Sequence, residues 1–251
     1  MLSDPAFYLV SVPAVLLYGI AKGGFGGAVA ILAVPLMALV MSPTQAAGIL
    51  LPILVVMDAF VVRTYWGQYD RRALQLLLPG ALVGIALGFL TAGAMDDNYM
   101  RVLVGLISML FGLQQLLGFA GRASGQHRAG PAAVFGTLAG FTSFSIHAGG
   151  PPLTMYLLPK GLPPLLFAGT AGLFFAVVNL VKLVPYYWLG QFTAANLLYS
   201  LILVPLAPLG VWVGHALVKR SPAGFYYRVI SFFLVVLGVK LLWDGLSGLL
   251  I

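Results

Sequence analysis

The sequence predicts an all-α polytopic membrane protein, an inverted repeat of two halves. Each half holds a glycine-broken hairpin or discontinuous helix plus three spanning helices. Three observations carry this. The 251-residue chain is 61% hydrophobic and 8% charged, against about 25% charged in ordinary soluble domains. Apolar runs long enough to cross a ~30 Å hydrocarbon layer recur from end to end. A glycine-rich interruption in the first run has a counterpart near the middle of the chain.

The first run, 6–41, contains Lys22 and two tyrosines as its only ionisable side chains. One continuous helix of that length is about 54 Å long, nearly twice the hydrocarbon thickness. Its centre, Gly19-Ile20-Ala21-Lys22-Gly23-Gly24-Phe25-Gly26-Gly27, is a poor helix former, since each glycine costs about 1 kcal/mol against alanine. The expectation is a helix, an unwound glycine loop carrying Lys22, and a second helix. Lipid tolerates such a loop only where protein or a water-filled cavity satisfies its amides. The start, Met1-Leu2-Ser3-Asp4-Pro5, lacks the basic region of a cleavable signal and reads as retained.

The remaining elements follow in order. Span 46–62 carries Pro52 and Asp58, and a polar aromatic turn, 63–72, ends it. Span 74–94 carries Gly80, Gly84 and Gly88, a spacing that lets another helix approach closely. Span 100–119 follows the acidic turn Asp96-Asp97-Asn98. The polar stretch 121–131 reads as a linker between halves 1–120 and 132–251. The second half opens with small-residue run 132–146, then His147-Ala148-Gly149-Gly150-Pro151-Pro152 and a short apolar piece to Leu158. Spans 165–185, 194–218 and 225–242 complete it. Tyr186-Tyr187-Trp188 reads as an interfacial aromatic belt.

The halves echo each other. Gly26-Gly27 and Gly149-Gly150 lie 123 residues apart, as do Gly67-Gln68 and Gly190-Gln191. Gly84 and Gly88 match Gly210 and Gly214 at 126, and Asp58 matches Asn179 at 121. If each broken element goes in and returns, one side collects Arg63, Arg71, Arg72, Arg122, Arg128, Lys160, Lys219, Arg220 and Arg228. The other keeps Asp4, Asp96, Asp97, Asp244, Arg101 and Lys240. If each crosses once, the positives divide almost evenly. The positive-inside rule favours hairpins, both termini outside and halves of opposite orientation, with 121–131 cytoplasmic. Two hairpins entering from opposite faces bring 22–27 and 147–152 together near the midplane. Inverted repeats with discontinuous helices bind substrate at such an interface in secondary transporters. Helix starts near Gly27 and Pro151 aim free N–H groups and positive dipole ends at the gap, which suits an anion.

At these residues the chain resembles the TauE/SafE family of sulfite exporters, over nearly its whole length. The resemblance rests on two glycine-rich broken elements with a following Pro-Leu, here Val34-Pro35-Leu36 and Pro151-Pro152-Leu153. It implies a bacterial inner-membrane protein of eight passes, counting each broken element once. It also implies a substrate among sulfite, thiosulfate, sulfoacetate and related organosulfonates. The expected function is secondary transport of such a small anion, in the export direction and coupled to protons, by alternating access. The alternatives are an assembly factor or channel without active transport, and a membrane-embedded hydrolase.

Several functions are excluded or disfavoured by composition. With no cysteine there are no disulfides, thiol nucleophiles or cysteine metal sites. Aspartate supplies every carboxylic side chain, and no HExxH, GxSxG or Walker motif occurs, so no enzyme, cofactor or metal is expected. The net charge of +7 fits basic cytoplasmic loops beside a lipid bilayer rather than nucleic acid. The expected substrate-binding residues are Lys22, Gly23, Gly24, Gly26, Gly27, Ser145, His147, Gly149, Gly150, Asn179 and Lys182. Asp58 and His147 are the expected proton-coupling groups. Each has a plainer reading: Lys22 and Lys182 snorkelling to an interface, an Asp58–Arg63 interfacial ion pair, a neutral His147 on a carbonyl. Ser143 and Ser145 either donate to substrate or satisfy backbone carbonyls, and His127 and His215 are expected to have no role.

Overall fold

The structure, a computed structural model, describes residues 5–25, 30, 33–37, 39–92, 97–117 and 126–250, with no strand among them. Helix α1 (Pro5–Gly24) and the short α2 (Ala33–Met37) form the first broken element, followed by α3 (Pro43–Thr64), α4 (Arg71–Leu90) and α5 (Asp97–Leu116). Helices α6 (Ala129–Ile146) and α7 (Gly150–Leu157) form the second. After a 3₁₀ turn, Leu158–Lys160, come α8 (Pro164–Trp188), α9 (Ala194–Leu203), α10 (Leu206–Arg220) and α11 (Ala223–Leu250). Among the described residues five helices are long and apolar enough to cross a membrane, and six spans result if the bent pair α9–α10 counts as one.

Local chemistry sets the helix starts. Ser42, Asp70 and Thr193 are N-caps whose side-chain oxygens accept from the amides of Gln45, Ala73 and Asn196. Gly67 and Gly190, at φ +79° and +67°, turn the chain just before two of those caps.

Contacts at the two ends of the bundle fix helix direction. At one end Phe7 of α1 packs on Tyr199 of α9, and the adjacent Ser200 donates to the Ile49 carbonyl of α3 at 2.7 Å. At the other end Tyr65, just past α3, donates to the Gly23 carbonyl in the last turn of α1 at 2.5 Å. Helices α1 and α3 therefore run the same way, and α2 lies on the return between them. The second element repeats this from the opposite end. Asp70 meets both His127, just before α6, and Thr170, early in α8, each at 2.8 Å. Tyr186, late in α8, donates to the Phe144 carbonyl, late in α6, at 3.0 Å. Helices α6 and α8 thus run together, starting where α1 and α3 finish, and both broken elements are hairpins. The end where α3 finishes and α6 starts carries Arg63, Arg71, Arg72, Arg128, Lys160, Lys219 and Arg220. The other carries Arg101 and the Lys240–Asp244 ion pair.

The helices pack in long-range pairs. Helix α1 lies on α10 while α6 lies on α4, α3 faces α8, and α5 faces α11. A Cβ on Gly19 would lie 2.8 Å from the Gly210 Cα, and one on Gly23 or Gly24 would strike the backbone oxygen of Val211 or Gly214. Gly84 meets the Thr137 carbonyl and Gly140 the Ala81 carbonyl in the same manner. Gly169 abuts the Gln68 carbonyl as Gly48 abuts that of Gln191. Lipid gives no hydrophobic drive between helices, so close backbone approach supplies the association. Gly84→Leu is accordingly expected to destabilise the fold by about 1–3 kcal/mol or more, read as a lowered thermal midpoint. An unchanged midpoint would remove the α4–α6 contact from this account.

Three expectations change. Lys22, Gly23 and Gly24 lie inside the last turn of α1, and the helix ends only at Phe25. These glycines are there to admit α10, so packing outweighs their low helix propensity. Gly26 and Gly27 lie outside the described residues. The run 194–218 is two helices bent by 46°, since Pro205 cannot donate its amide to a continuous helix. The last span is longer than 225–242, because polar Trp243-Asp244-Gly245 does not stop a helix whose i,i+4 Lys240–Asp244 pair supports it.

Candidate functional site

Where the two hairpins turn, five polar side chains from four helices meet inside an apolar bundle. Each is at most 3% exposed. The Lys22 ammonium lies 2.6 Å from Asp58 Oδ1 and donates to the Leu54 carbonyl one turn earlier in α3, at 3.2 Å. Asn179 of α8 donates to the other oxygen, Asp58 Oδ2, at 2.8 Å. Three residues on, and therefore on the same helix face, Lys182 donates to the Ser143 carbonyl at 2.6 Å and to its hydroxyl at 3.3 Å. The Lys182 Nζ also sits 3.1 Å from His147 Nδ1.

His147 ends α6 with φ 52°, the one positive-φ residue other than glycine among those described. The backbone turn there is work that glycine does at less cost, so what histidine adds is its ring. A charged Lys182 facing Nδ1 leaves the imidazole proton on Nε2, assigned from the network. Nε2 then donates to the Tyr186 oxygen at 3.2 Å, and Tyr186 passes its own hydrogen to the Phe144 carbonyl. The chain of donors runs in one direction from α8 back to α6.

The returning arm of this hairpin is held close. A Cβ on Gly149 would come 2.7 Å from the Ala139 carbonyl oxygen and 2.8 Å from Ser143 Cβ. Gly150 then opens α7, where Pro151 and Pro152 occupy the first turn without needing amide hydrogens. All of α7 is buried.

The charges do not balance. With both lysines protonated, the cluster holds two cations and one carboxylate. Asp58 neutralises Lys22 in direct contact, whereas Lys182 has only neutral acceptors. The three charges act on one another across the site. A cation in this setting carries a desolvation cost that a second anion would offset. Among the described residues no group of three or more His, Asp or Glu is placed to hold a metal.

Of the residues expected here, the structure brings together Lys22, Asp58, His147, Asn179 and Lys182, while Gly149 packs on Ser143 and Gly150 opens α7. Ser145 is half-buried and no hydrogen bond joins it to the cluster; Ser143 takes that place. The Asp58–Arg63 pair is not formed: Arg63 is exposed, and Asp58 points one turn inward to Lys22. Lys182 does not snorkel, being fully buried. Tyr186 leaves the aromatic belt, at 2% exposure against 71% for Tyr187 and 67% for Trp188. Tyr65 and Tyr186, which cap the final carbonyls of α1 and α6, were not singled out in sequence. Their separation of 121 residues, the same as Asp58 to Asn179, was the available signal.

A family model described as "Sulfite exporter TauE/SafE" matches residues 11–241. No curated protein and no solved structure matches the chain.

Proposed function

The chain belongs to the sulfite exporter TauE/SafE family, a family of membrane exporters of sulfite and organosulfur compounds, and from this premise we propose that the buried Lys22–Asp58–Asn179–Lys182–His147 cluster is its anion site. Family membership speaks for transport and against catalysis. The observation that carries the site is its make-up, two lysines to one aspartate, with Lys22 in direct contact with Asp58 and Lys182 in direct contact with neutral acceptors. A small oxyanion such as sulfite, thiosulfate or sulfoacetate would replace neutral acceptors at Lys182 and compete with Asp58 for Lys22. Charge-assisted hydrogen bonds of this kind are the strong ones.

Proton coupling follows from the same competition. Protonating Asp58 releases Lys22 to the incoming anion, so one proton travels with each substrate. A dianion leaving with one proton still carries one net negative charge outward. An interior-negative membrane favours that movement by about 2.3 kcal/mol per 100 mV. In this reading the two halves are an inverted repeat, 1–120 and 132–251 about the linker 121–131, and alternating access rocks one half against the other. The antiparallel courses of α1 and α6, and the exchange of partners between α1–α10 and α4–α6, support it.

The test is flux into and out of proteoliposomes with sulfite, thiosulfate, sulfoacetate and taurine, with and without a pH gradient. Wild-type flux should respond to the gradient. Asp58→Asn, which keeps the bond to Asn179, should carry anion without that response. No flux of any anion under either condition would turn the reading toward an assembly factor. Flux of Asp58→Asn that still follows the gradient would move coupling to another group.

We place the protein in the bacterial inner membrane, with the basic end of the bundle in the cytoplasm and both termini periplasmic. The native chain has no cysteine, so Gln126→Cys, at an exposed position just before α6, reports the side directly. It should resist an impermeant thiol reagent applied outside intact cells and react once the membrane is opened. Reaction from outside would reverse the orientation.

A further inference from the structure

At the basic end of the bundle, well away from the lysine cluster, lies a cavity of about 290 Å³ between the start of α6 and the end of α7. We propose that it holds the phosphate group of an anionic phospholipid, between Arg128 and Lys160. The polar side of the cavity is Gln126, Arg128 and Lys160, and the apolar side includes Phe135, Met155 and Pro159.

The two cations line one cavity, and no acidic side chain is among its lining residues. Lys160 is held by the Gln126 carbonyl at 2.5 Å and lies over the Tyr156 ring at 5.0 Å. Arg128 has no carboxylate partner among the described residues. Burial first, and then the Arg128 charge, push the Lys160 ammonium below the ordinary lysine value, while the Asp70 charge acts the other way. The nearest acid, Asp70, is already engaged by His127 at 2.8 Å, and His127 is braced in turn by Tyr156 at 3.2 Å. Arg128 is also the N-cap of the 18-residue α6, whose first amides receive no side-chain cap. The positive end of that helix therefore adds to the same field.

The form of the cavity distinguishes a lipid from a free ion. Inorganic phosphate needs only the two cations and the helix end. A phospholipid presents phosphate with glycerol and acyl carbons attached, and Phe135, Met155 and Pro159 provide an apolar surface for those carbons. The site also sits among the helix ends that carry most of the basic residues, the level at which an anionic leaflet presents its headgroups. Occupancy would tie the segment before α6 to the end of the second hairpin, through Lys160 and Tyr156.

Native mass spectrometry of the purified protein tests this, with phosphatidylglycerol as probe, phosphatidylcholine as control and inorganic phosphate as competitor. Phosphatidylglycerol is expected to bind at one tight site that phosphatidylcholine does not fill, and millimolar phosphate should not displace it. Arg128→Gln alone should weaken that site about fivefold, and Arg128→Gln with Lys160→Gln about thirtyfold. Arg128 is exposed, so the single variant should keep the wild-type melting temperature. Unchanged phosphatidylglycerol affinity in the double variant, or equal affinity for both lipids, would overturn the proposal. Displacement by inorganic phosphate would overturn the lipid and leave a free-anion site. None of these readouts depends on whether the protein transports an oxyanion.

Discussion

Lys22→Met is expected to destabilise the protein by about 3–5 kcal/mol, the cost of stranding one member of a buried ion pair. The methionine keeps most of the apolar stem, so packing in the last turn of α1 is largely preserved. What is lost is the charge 2.6 Å from Asp58 Oδ1 and the donor to the Leu54 carbonyl. Asp58 is then left with Asn179 as its direct partner, too little for a carboxylate at 3% exposure. A second substitution separates structure from function. Lys22→Met with Asp58→Asn removes both charges and leaves an amide that can still accept from Asn179, so most of the lost stability should return. Anion flux should not return, because the cation is gone. Thermal unfolding in one detergent and flux in proteoliposomes read the two effects separately. A Lys22→Met protein that melts like wild type would mean that the ion pair contributes little to the fold.

Much of the architecture was legible because membrane composition leaves few options. Apolar runs marked the helices, and charge distribution alone preferred hairpins to full crossings. The structure agrees, through Tyr65 on Gly23 and Tyr186 on Phe144. The misreadings have a common cause, which is that a sequence does not show which partner a residue faces. By propensity Gly23 and Gly24 suit an unwound loop, but their neighbour is the backbone of α10, and a helix is what permits that contact. Asp58 is five residues from Arg63 in sequence, which suggested a local pair. Its partner, Lys22, lies 36 positions away on another helix. Lys182 and Tyr186 stand beside exposed Tyr187 and Trp188, yet helical geometry turns them inward while their neighbours face lipid. The offset of 121 residues that relates Asp58 to Asn179 also relates Tyr65 to Tyr186.

Lys182→Met should behave in the opposite way to Lys22→Met. Lys182 is equally buried, but its direct partners are the Ser143 carbonyl, the Ser143 hydroxyl and His147 Nδ1, all neutral. Removing it strands no opposite charge at hydrogen-bond distance, and replacing a desolvated cation by an apolar side chain of similar length is often neutral or stabilising. The carbonyl of Ser143 and the ring of His147 lose a donor, which limits any gain. The melting temperature should therefore stay close to wild type. Anion binding should not, because in the proposed site this is the ammonium free of an acidic competitor. Losing one charge-assisted contact is expected to cost about 1.5–3 kcal/mol, or roughly ten- to a hundredfold in affinity. Lys182→Arg should restore only part of it, since a planar guanidinium does not fit where a compact head meets the Ser143 carbonyl at 2.6 Å. Sulfite or thiosulfate binding, measured calorimetrically beside a thermal melt of the same preparation, decides the matter. Wild-type affinity in a well-folded Lys182→Met protein would take the anion away from α8 and leave this lysine a packing role.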